Sequence, residues 1–346
     1  MRDNLLEMPR DNPFQNDLFD RKAIAENFMK IFEADEEGII LSIDSAWGTG
    51  KTTFIKQYAR YLMEQGQNIG ILENDFGAIN VDMMLLRELE GANCELEMVA
   101  GGCDKDCYRR RFRTKLIAMG MCGYDRVLIE PSGIFDVDDF FDALNEEPLD
   151  KWYQIGNVIT VVDACLEENL SEGADYILAS EAANAGCILL SRTQQASEGQ
   201  IKATVAHINR ALEKIHCKRA LKDEVICGDW EDFSEKDYKK ILESGYQVED
   251  YEKMYIEQDE IFQSLFLMDE GISPMKAKEA VREIFGDPEC GQVFRIKGFL
   301  KDGNVWQELN ATVHELTMHP LEAGQDVLIV IGEQMNEEKI RGYLKK

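Results

Sequence analysis

The sequence predicts an α/β chain in which a mainly parallel sheet flanked by helices is followed by a small α+β domain. Three observations lead there. Short apolar runs alternate with segments of helical periodicity from about residue 38 to residue 215. The first strand-to-helix junction is a glycine-rich loop, Ser45-Ala46-Trp47-Gly48-Thr49-Gly50-Lys51-Thr52-Thr53. After Gly291 the rhythm changes to successive strands closed by one helix. Parallel strands need long crossovers, and helices between them supply right-handed ones.

The elements follow in order. Residues 1–20 are polar, broken by Pro9 and Pro13, and read as an arm; residues 21–33 carry Ile24, Phe28, Ile31 and Phe32 at helical spacing. Ile39, Ile40, Leu41 and Ile43 mark a buried strand, and a helix over 52–65 places Ile55, Tyr58 and Leu62 on one face. Strands are then expected at 68–72, 126–129, 157–162 and 187–190, with helices at 108–121, 138–144, 176–185 and 201–215. Acidic and aromatic residues mix in GDWEDFSEKDYKK and EDYEKMYIEQDE, which suits a connector with exposed helices. Strands at 293–300, 304–309 and 326–331 and a helix at 336–343 complete the chain. The expected domains are an arm and helix (1–37), a parallel-sheet domain carrying the glycine-rich loop (38–228), a helical connector (229–289) and a C-terminal α+β domain (290–346).

Composition narrows the function. With 38 Lys+Arg against 66 Asp+Glu, the formal charge is −28. Such a chain repels polyanions, so bulk binding to nucleic acid is excluded, while cations and basic partners are attracted. No apolar run approaches the roughly 18 residues of a membrane span, and the first fifteen residues do not resemble a signal peptide. Nine Cys, an odd number in a large chain, argue for reduced thiols in a cytoplasm, most of them packing as small hydrophobes.

The glycine-rich loop sits where a phosphate-binding P-loop belongs, after a strand and opening a helix. Gly48 and Gly50 let backbone N–H groups turn toward phosphates, with Thr49 and Thr53 beside them. Lys51 would reach the β- and γ-phosphates and the Thr52 hydroxyl would bind Mg²⁺. Ser45 stands where the motif has its first glycine.

Downstream, Glu73-Asn74-Asp75-Phe76-Gly77-Ala78-Ile79-Asn80-Val81-Asp82 resembles the E-N-[ED]-F-G-x-x-x-x-D stretch of the CobW-like metallochaperone GTPases. Glu130-Pro131-Ser132-Gly133, Val161-Val162-Asp163-Ala164, Lys297-Gly298-Phe299 and Ile331-Gly332 follow in the family's order. DNPFQNDLFDRKAIAENF with SAWGTGKTTF also resembles the start of the KAP-type P-loop NTPases. The resemblance implies that Asp75 and Glu130 reach Mg²⁺ or its water shell, since hard cations want oxygen ligands. Gly133 would approach the γ-phosphate and sense hydrolysis. Asp163 ends a strand, as a site residue or as a helix cap.

Cys103 and Cys107 fall where the family carries its G-C-x-C-C metal motif, here spaced C-x₃-C. Two thiolates with a carboxylate or a third thiol (Cys94, Cys122) would bind Zn²⁺, and thiolates also suit Cu(I). Arg109, Arg110, Arg111, Arg113 and Lys115 follow at once, favouring thiolate; they would otherwise form a solvated helix face. His207 and His216 read as surface residues. At the family's guanine-reading [NST]-K-x-D element stand Ser191-Arg192-Thr193-Gln194. Gln194 lacks the carboxylate that pairs with guanine, so GTP or ATP is admitted, with Ser191 and Arg192 against the base.

The expected function is a nucleotide-dependent metallochaperone that couples hydrolysis of GTP or ATP to delivery of zinc or cobalt to a client protein. Lys51, Thr52, Asp75 and Glu130 form the expected catalytic set. The expected partners are nucleotide, metal ion and client metalloprotein, with homodimerisation allowed and no nucleic acid or membrane. The alternatives are a nucleotide-gated regulatory module with little turnover and a thiol redox sensor.

Overall fold

The computed structural model describes residues 38–44, 50–75, 81–100, 105–131, 137–254, 263–321 and 324–345. The arm and helix expected at 1–37, with the KAP-like stretch, lie outside the described residues. Two sheets organise the rest.

The first is seven-stranded and parallel: β1 (Gly38–Asp44), β2 (Ile69–Asp75), β3 (Cys94–Ala100), β4 (Arg126–Glu130), β5 (Gln154–Asp163), β6 (Cys187–Ser191) and β7 (Val225–Cys227) lie in the order β3-β2-β4-β1-β5-β6-β7. The helices between them are α1 (Lys51–Glu64), α2 (Val81–Leu86), α3 (Lys105–Gly120), α4 (Val137–Leu144), α5 (Leu149–Trp152), α6 (Glu172–Asn184) and α7 (Glu198–Lys214). Successive residues of a strand face opposite sides, so a strand covered on both faces is apolar throughout. Leu72, Val127, Ile129 and Val158 pack with Phe112, Phe140 and Leu212 on one face. Ile71, Leu128, Ile159 and Leu189 pack with Phe54, Tyr58 and Leu62 of α1 on the other.

The second sheet is antiparallel. It contains β8 (Gln263–Met268), β9 (Gln292–Asp302), β10 (Val305–Ala311), β11 (Leu316–Leu321) and β12 (Val327–Glu333), in the order β11-β10-β9-β12-β8. Helices α8 (Glu235–Leu242), α9 (Pro274–Gly286) and α10 (Glu337–Lys345) complete the chain. α9 and α10 cover one face of this sheet with Ala277, Val281, Ile284, Ile340 and Leu344. Phe299, Val327 and Ile329 on the other face meet Met84 and Leu85 of α2, so the two bodies share an apolar contact.

The stretch expected as a connector over 229–289 is divided between these two cores. Trp230, Tyr238 and Ile241 join the first core, whereas β8 pairs with β12 and α9 packs on the second sheet. Mixed polarity hides this, since β8 is an edge strand with only Leu265 and Leu267 buried. β3 and β11 escape the sequence pattern for the same reason: both are edge strands, and β3 alternates buried Cys94, Leu96 and Val99 with Glu95 and Glu97. Pro320 sits in β11, where an edge tolerates a missing N–H. Among the described residues no helix is long and apolar enough to cross a membrane.

Candidate functional site

The carboxyl ends of the parallel strands gather the polar residues. Open α/β sheets bind ligands there, at the point where strand order reverses. β1 lies between β4 and β5, and α1 starts directly after the loop that follows it. Gly50 caps α1 with φ 95°, a left-handed conformation that favours glycine. A Cβ at this position would also lie 2.8 Å from the Trp230 ring. The first turn of α1 holds no acidic residue, so its partial positive charge stays available to an anion.

Lys51 opens α1 and is buried, with its ammonium 2.5 Å from Glu130 Oε1 at the end of β4. Thr52 is half-buried and Thr53 exposed. Glu73 on β2 stands directly opposite Glu130 in the ladder, and both are 2% exposed. Burial first, and then the neighbouring Glu130, push the Glu73 carboxyl well above the usual range. The arrangement therefore sets one lysine and two glutamates together in a buried site. Among the described residues, Glu73 Oε1 and Glu130 Oε2 are buried without hydrogen-bond partners. Asp75 ends β2 at the same edge of the sheet, two residues beyond Glu73.

On the other side of β1, Asp163 ends β5 and accepts from the Cys165 N–H at 2.8 Å. Arg192 Nη1 donates to Asp163 Oδ2 at 3.2 Å. Ser191 is buried; its hydroxyl donates to Val162 O, and its carbonyl accepts from Ala164 N. The structure thus gathers Lys51, Thr52 and Glu130 on one side of the cleft and Asp163, Ser191 and Arg192 on the other. Gly48, Thr49, Gly133 and Cys103 lie outside the described residues, as does the Asp75 side chain.

Residues 39–221 match the family model described as the CobW/HypB/UreG nucleotide-binding domain, more than half of the chain. The chain belongs to the CobW/HypB/UreG family. A curated relative, the zinc chaperone YjiA of Escherichia coli (strain K12), is 29% identical over 175 residues, 47% of this chain. The match spans only 52% of that relative's length. Among solved structures, Zn(II)-bound YjiA GTPase from E. coli aligns at TM-score 0.34 and 17% identity, covering 90% of this chain and all of that one. HypB from Helicobacter pylori in complex with nickel aligns at 0.37 and 15%, covering 64% and 90%.

In this CobW/HypB/UreG-family chain the thiol region is described only in part. Cys107 lies half-buried on α3 and, with Met98, Arg110, Arg111 and Lys115, lines a cavity of about 560 Å³. Arg109 and Arg113 pair with Glu146 at 3.0 and 2.7 Å, and Lys115 with Glu97 at 2.7 Å. Those pairs sit at the surface, where each is worth at most about 1 kcal/mol. Among the described residues, no group of three or more His, Cys, Asp or Glu is arranged to hold a metal.

His207 corrects a sequence expectation. It is 6% exposed, with Nε2 2.6 Å from Asp175 Oδ1, because α6 and α7 face each other along that side. His216 is exposed, as expected, beside Glu252. Two further residues were visible in the motifs but carried no assigned role. Asp82 on α2 pairs with Lys297 on β9, joining the first body to the second. Glu73 stands two residues before Asp75 in the same motif, the one sequence signal pointing to it.

Glu73 gives a pH-dependent prediction. A raised folded pKa means stability that is fully present below the unfolded value, about 4.3, and is lost as pH rises toward the folded one. Glu73→Gln mimics the protonated form and removes that loss. Its stability advantage over wild type should therefore grow above pH ~4.3, by up to about 1.4 kcal/mol per pH unit. Urea unfolding of both proteins from pH 4.5 to 7.5 measures it; parallel curves would refute the assignment.

Proposed function

We propose that this chain hydrolyses a purine nucleoside triphosphate and uses the cycle to deliver a metal ion to a client protein. The main support is the buried Lys51 ammonium held against Glu130 at the strand ends, directly behind a glycine-capped helix N-terminus. A triphosphate arriving there would take over Lys51 and leave Glu130 to the metal side of the site. Glu130, whose buried Oε2 has no partner among the described residues, brings a hard oxygen donor of the kind Mg²⁺ takes. Thr52, Asp75 and Glu130 would hold that ion. Bound Mg²⁺ supplies neutralisation of the phosphate charge. In a chain of charge −28 this matters more than usual, because the overall field opposes the nucleotide.

The cargo is a separate ion. Cys103 and Cys107 would bind Zn²⁺ or another thiophilic metal as thiolates, and the cationic side chains along α3 favour that form. The zinc-chaperone relative supports zinc over cobalt. Base choice stays between GTP and ATP because Gln194 brings no carboxylate.

Metal content after anaerobic purification, with and without nucleotide, tests the delivery step against a Cys103→Ser/Cys107→Ser variant. The wild type should carry metal that nucleotide turnover releases, and the variant should carry none. A wild type that takes up no zinc would overturn the metallochaperone reading.

A further inference from the structure

Arg192 stands where a base-reading element carries its lysine, yet its guanidinium is engaged between the two bodies. Nη1 donates to Asp163 Oδ2 at 3.2 Å and to Thr312 Oγ1 at 3.3 Å, and Nε lies 3.8 Å from Glu315 Oε2. Asp163 belongs to the parallel sheet. Thr312 and Glu315 belong to the turn joining β10 to β11, closed by a bond from Thr312 N to Glu315 O at 2.8 Å. Gln195, further along the same loop as Arg192, also donates to Glu315, at 3.4 Å. The Arg192 side chain is only 14% exposed, so this is a covered contact.

The backbone shows why the contact matters. Arg192 has φ 55°, a left-handed conformation for a residue with a full side chain. Such a conformation is strained and persists where the surroundings over-determine it. Here the surroundings come from both bodies. Gln195 N closes the turn onto Arg192 O at 2.9 Å, Ala164 N fixes Ser191 O at 2.9 Å, and the fork of Arg192 is held by Asp163 and the C-terminal turn. A planar guanidinium can reach several oxygens at once, which a lysine ammonium on the same backbone cannot reproduce.

We propose that the turn at 312–315 is a positioning element of the nucleotide site: Thr312 and Glu315, acting through Arg192, hold the 191–195 loop in the shape that receives the purine. The inference rests on the nucleotide reading above. It makes the C-terminal domain part of the machinery that reads the base, although it need not touch the nucleotide. Because coupling is reciprocal, purine binding should in turn tighten the docking of that domain.

The test uses the full chain and measures affinity for GTP and, by competition, for inorganic tripolyphosphate, which contacts the phosphate loop but has no base. Thr312→Val/Glu315→Ala should weaken GTP about five- to tenfold, the equivalent of about one lost hydrogen bond, and leave tripolyphosphate unchanged. Arg192→Lys should behave alike. Glu333→Ala is the control, since it breaks another contact between the bodies, Ser171 Oγ to Glu333 Oε1 at 2.7 Å, without touching the loop. It should leave both affinities as they are. Equal weakening of GTP and tripolyphosphate, an equal GTP loss in Glu333→Ala, or unchanged GTP binding in the turn variant would each overturn the proposal. A wild type that binds tripolyphosphate but neither GTP nor ATP would overturn it as well. A wild type that binds none of the three would bring down the nucleotide reading itself.

Discussion

Lys51→Ala should lower phosphate release by at least about 10²-fold, the usual cost of removing a preorganised charge from a developing anion. Its structural cost should be visible too. Lys51 is the cation beside two carboxyl groups buried to 2% exposure, Glu73 and Glu130. Breaking a buried pair by removing one partner costs about 3–5 kcal/mol, because the other charge is left stranded. The single variant therefore confounds catalysis with folding. Lys51→Met combined with Glu130→Gln removes both charges and should recover most of the stability while remaining inactive. Phosphate release and urea unfolding on both variants separate the two effects. Unchanged turnover in Lys51→Ala would exclude this loop from the chemistry.

The same pair explains how a strongly acidic chain can admit a polyanion. The −28 charge argues against polyphosphates in bulk, but Lys51 is positive at the strand ends and the α1 N-terminus adds a partial charge of the same sign. On the proposed reading a triphosphate would exchange with Glu130 for an ammonium already in place, so little side-chain ordering would be required on binding.

What could be read from sequence divides along physical lines. The central strands were legible because burial on both faces makes them nearly continuous apolar runs, such as Cys187 to Leu190 and, with Thr160 the one polar residue, Val158 to Val162. The edge strands β3, β8 and β11 were not, because a half-covered strand mixes polar and apolar residues as a loop does. The phosphate loop was legible because its chemistry is local, within nine residues from Ser45 to Thr53. The partnership of Glu73 with Glu130 depends on which strands are neighbours, and no local pattern specifies β2 beside β4. Arg192 shows the same limit: the family resemblance assigns it to the base-reading element, but its partners Thr312 and Glu315 come from the other body. His207 was misplaced because a helix face says nothing about the Asp175 it will meet.

The second large effect is expected at Asp82, whose pair with Lys297 bridges residues 215 apart in sequence. Both side chains are largely covered, at 17% and 12% exposure. Burial alone would raise the Asp82 carboxyl, but Lys297 and Arg295 outweigh it and hold the group well below the usual carboxylate range. Such a group contributes stability that is present above its unfolded value, about 3.9, and is lost only as pH falls through the lower folded value. Asp82→Ala should therefore cost about 3–5 kcal/mol at neutral pH, and the gap from wild type should narrow toward strongly acidic pH. The consequence reaches function through α2, which carries Asp82 and places Met84 and Leu85 against Phe299 and Ile329 of the second sheet. α2 begins six residues after the end of β2 at Asp75, so the pair holds the helix that follows β2 in the chain against the C-terminal domain. Urea unfolding at pH 7 and pH 3 measures the ionic part. Asp82→Leu with Lys297→Met isolates its origin, since two apolar residues leave no charge stranded. Recovery in the double variant would place the cost in the orphaned Lys297. A persistent loss would mean that the pair itself holds α2 on the C-terminal sheet, and nucleotide-driven movement of α2 would then have to break it.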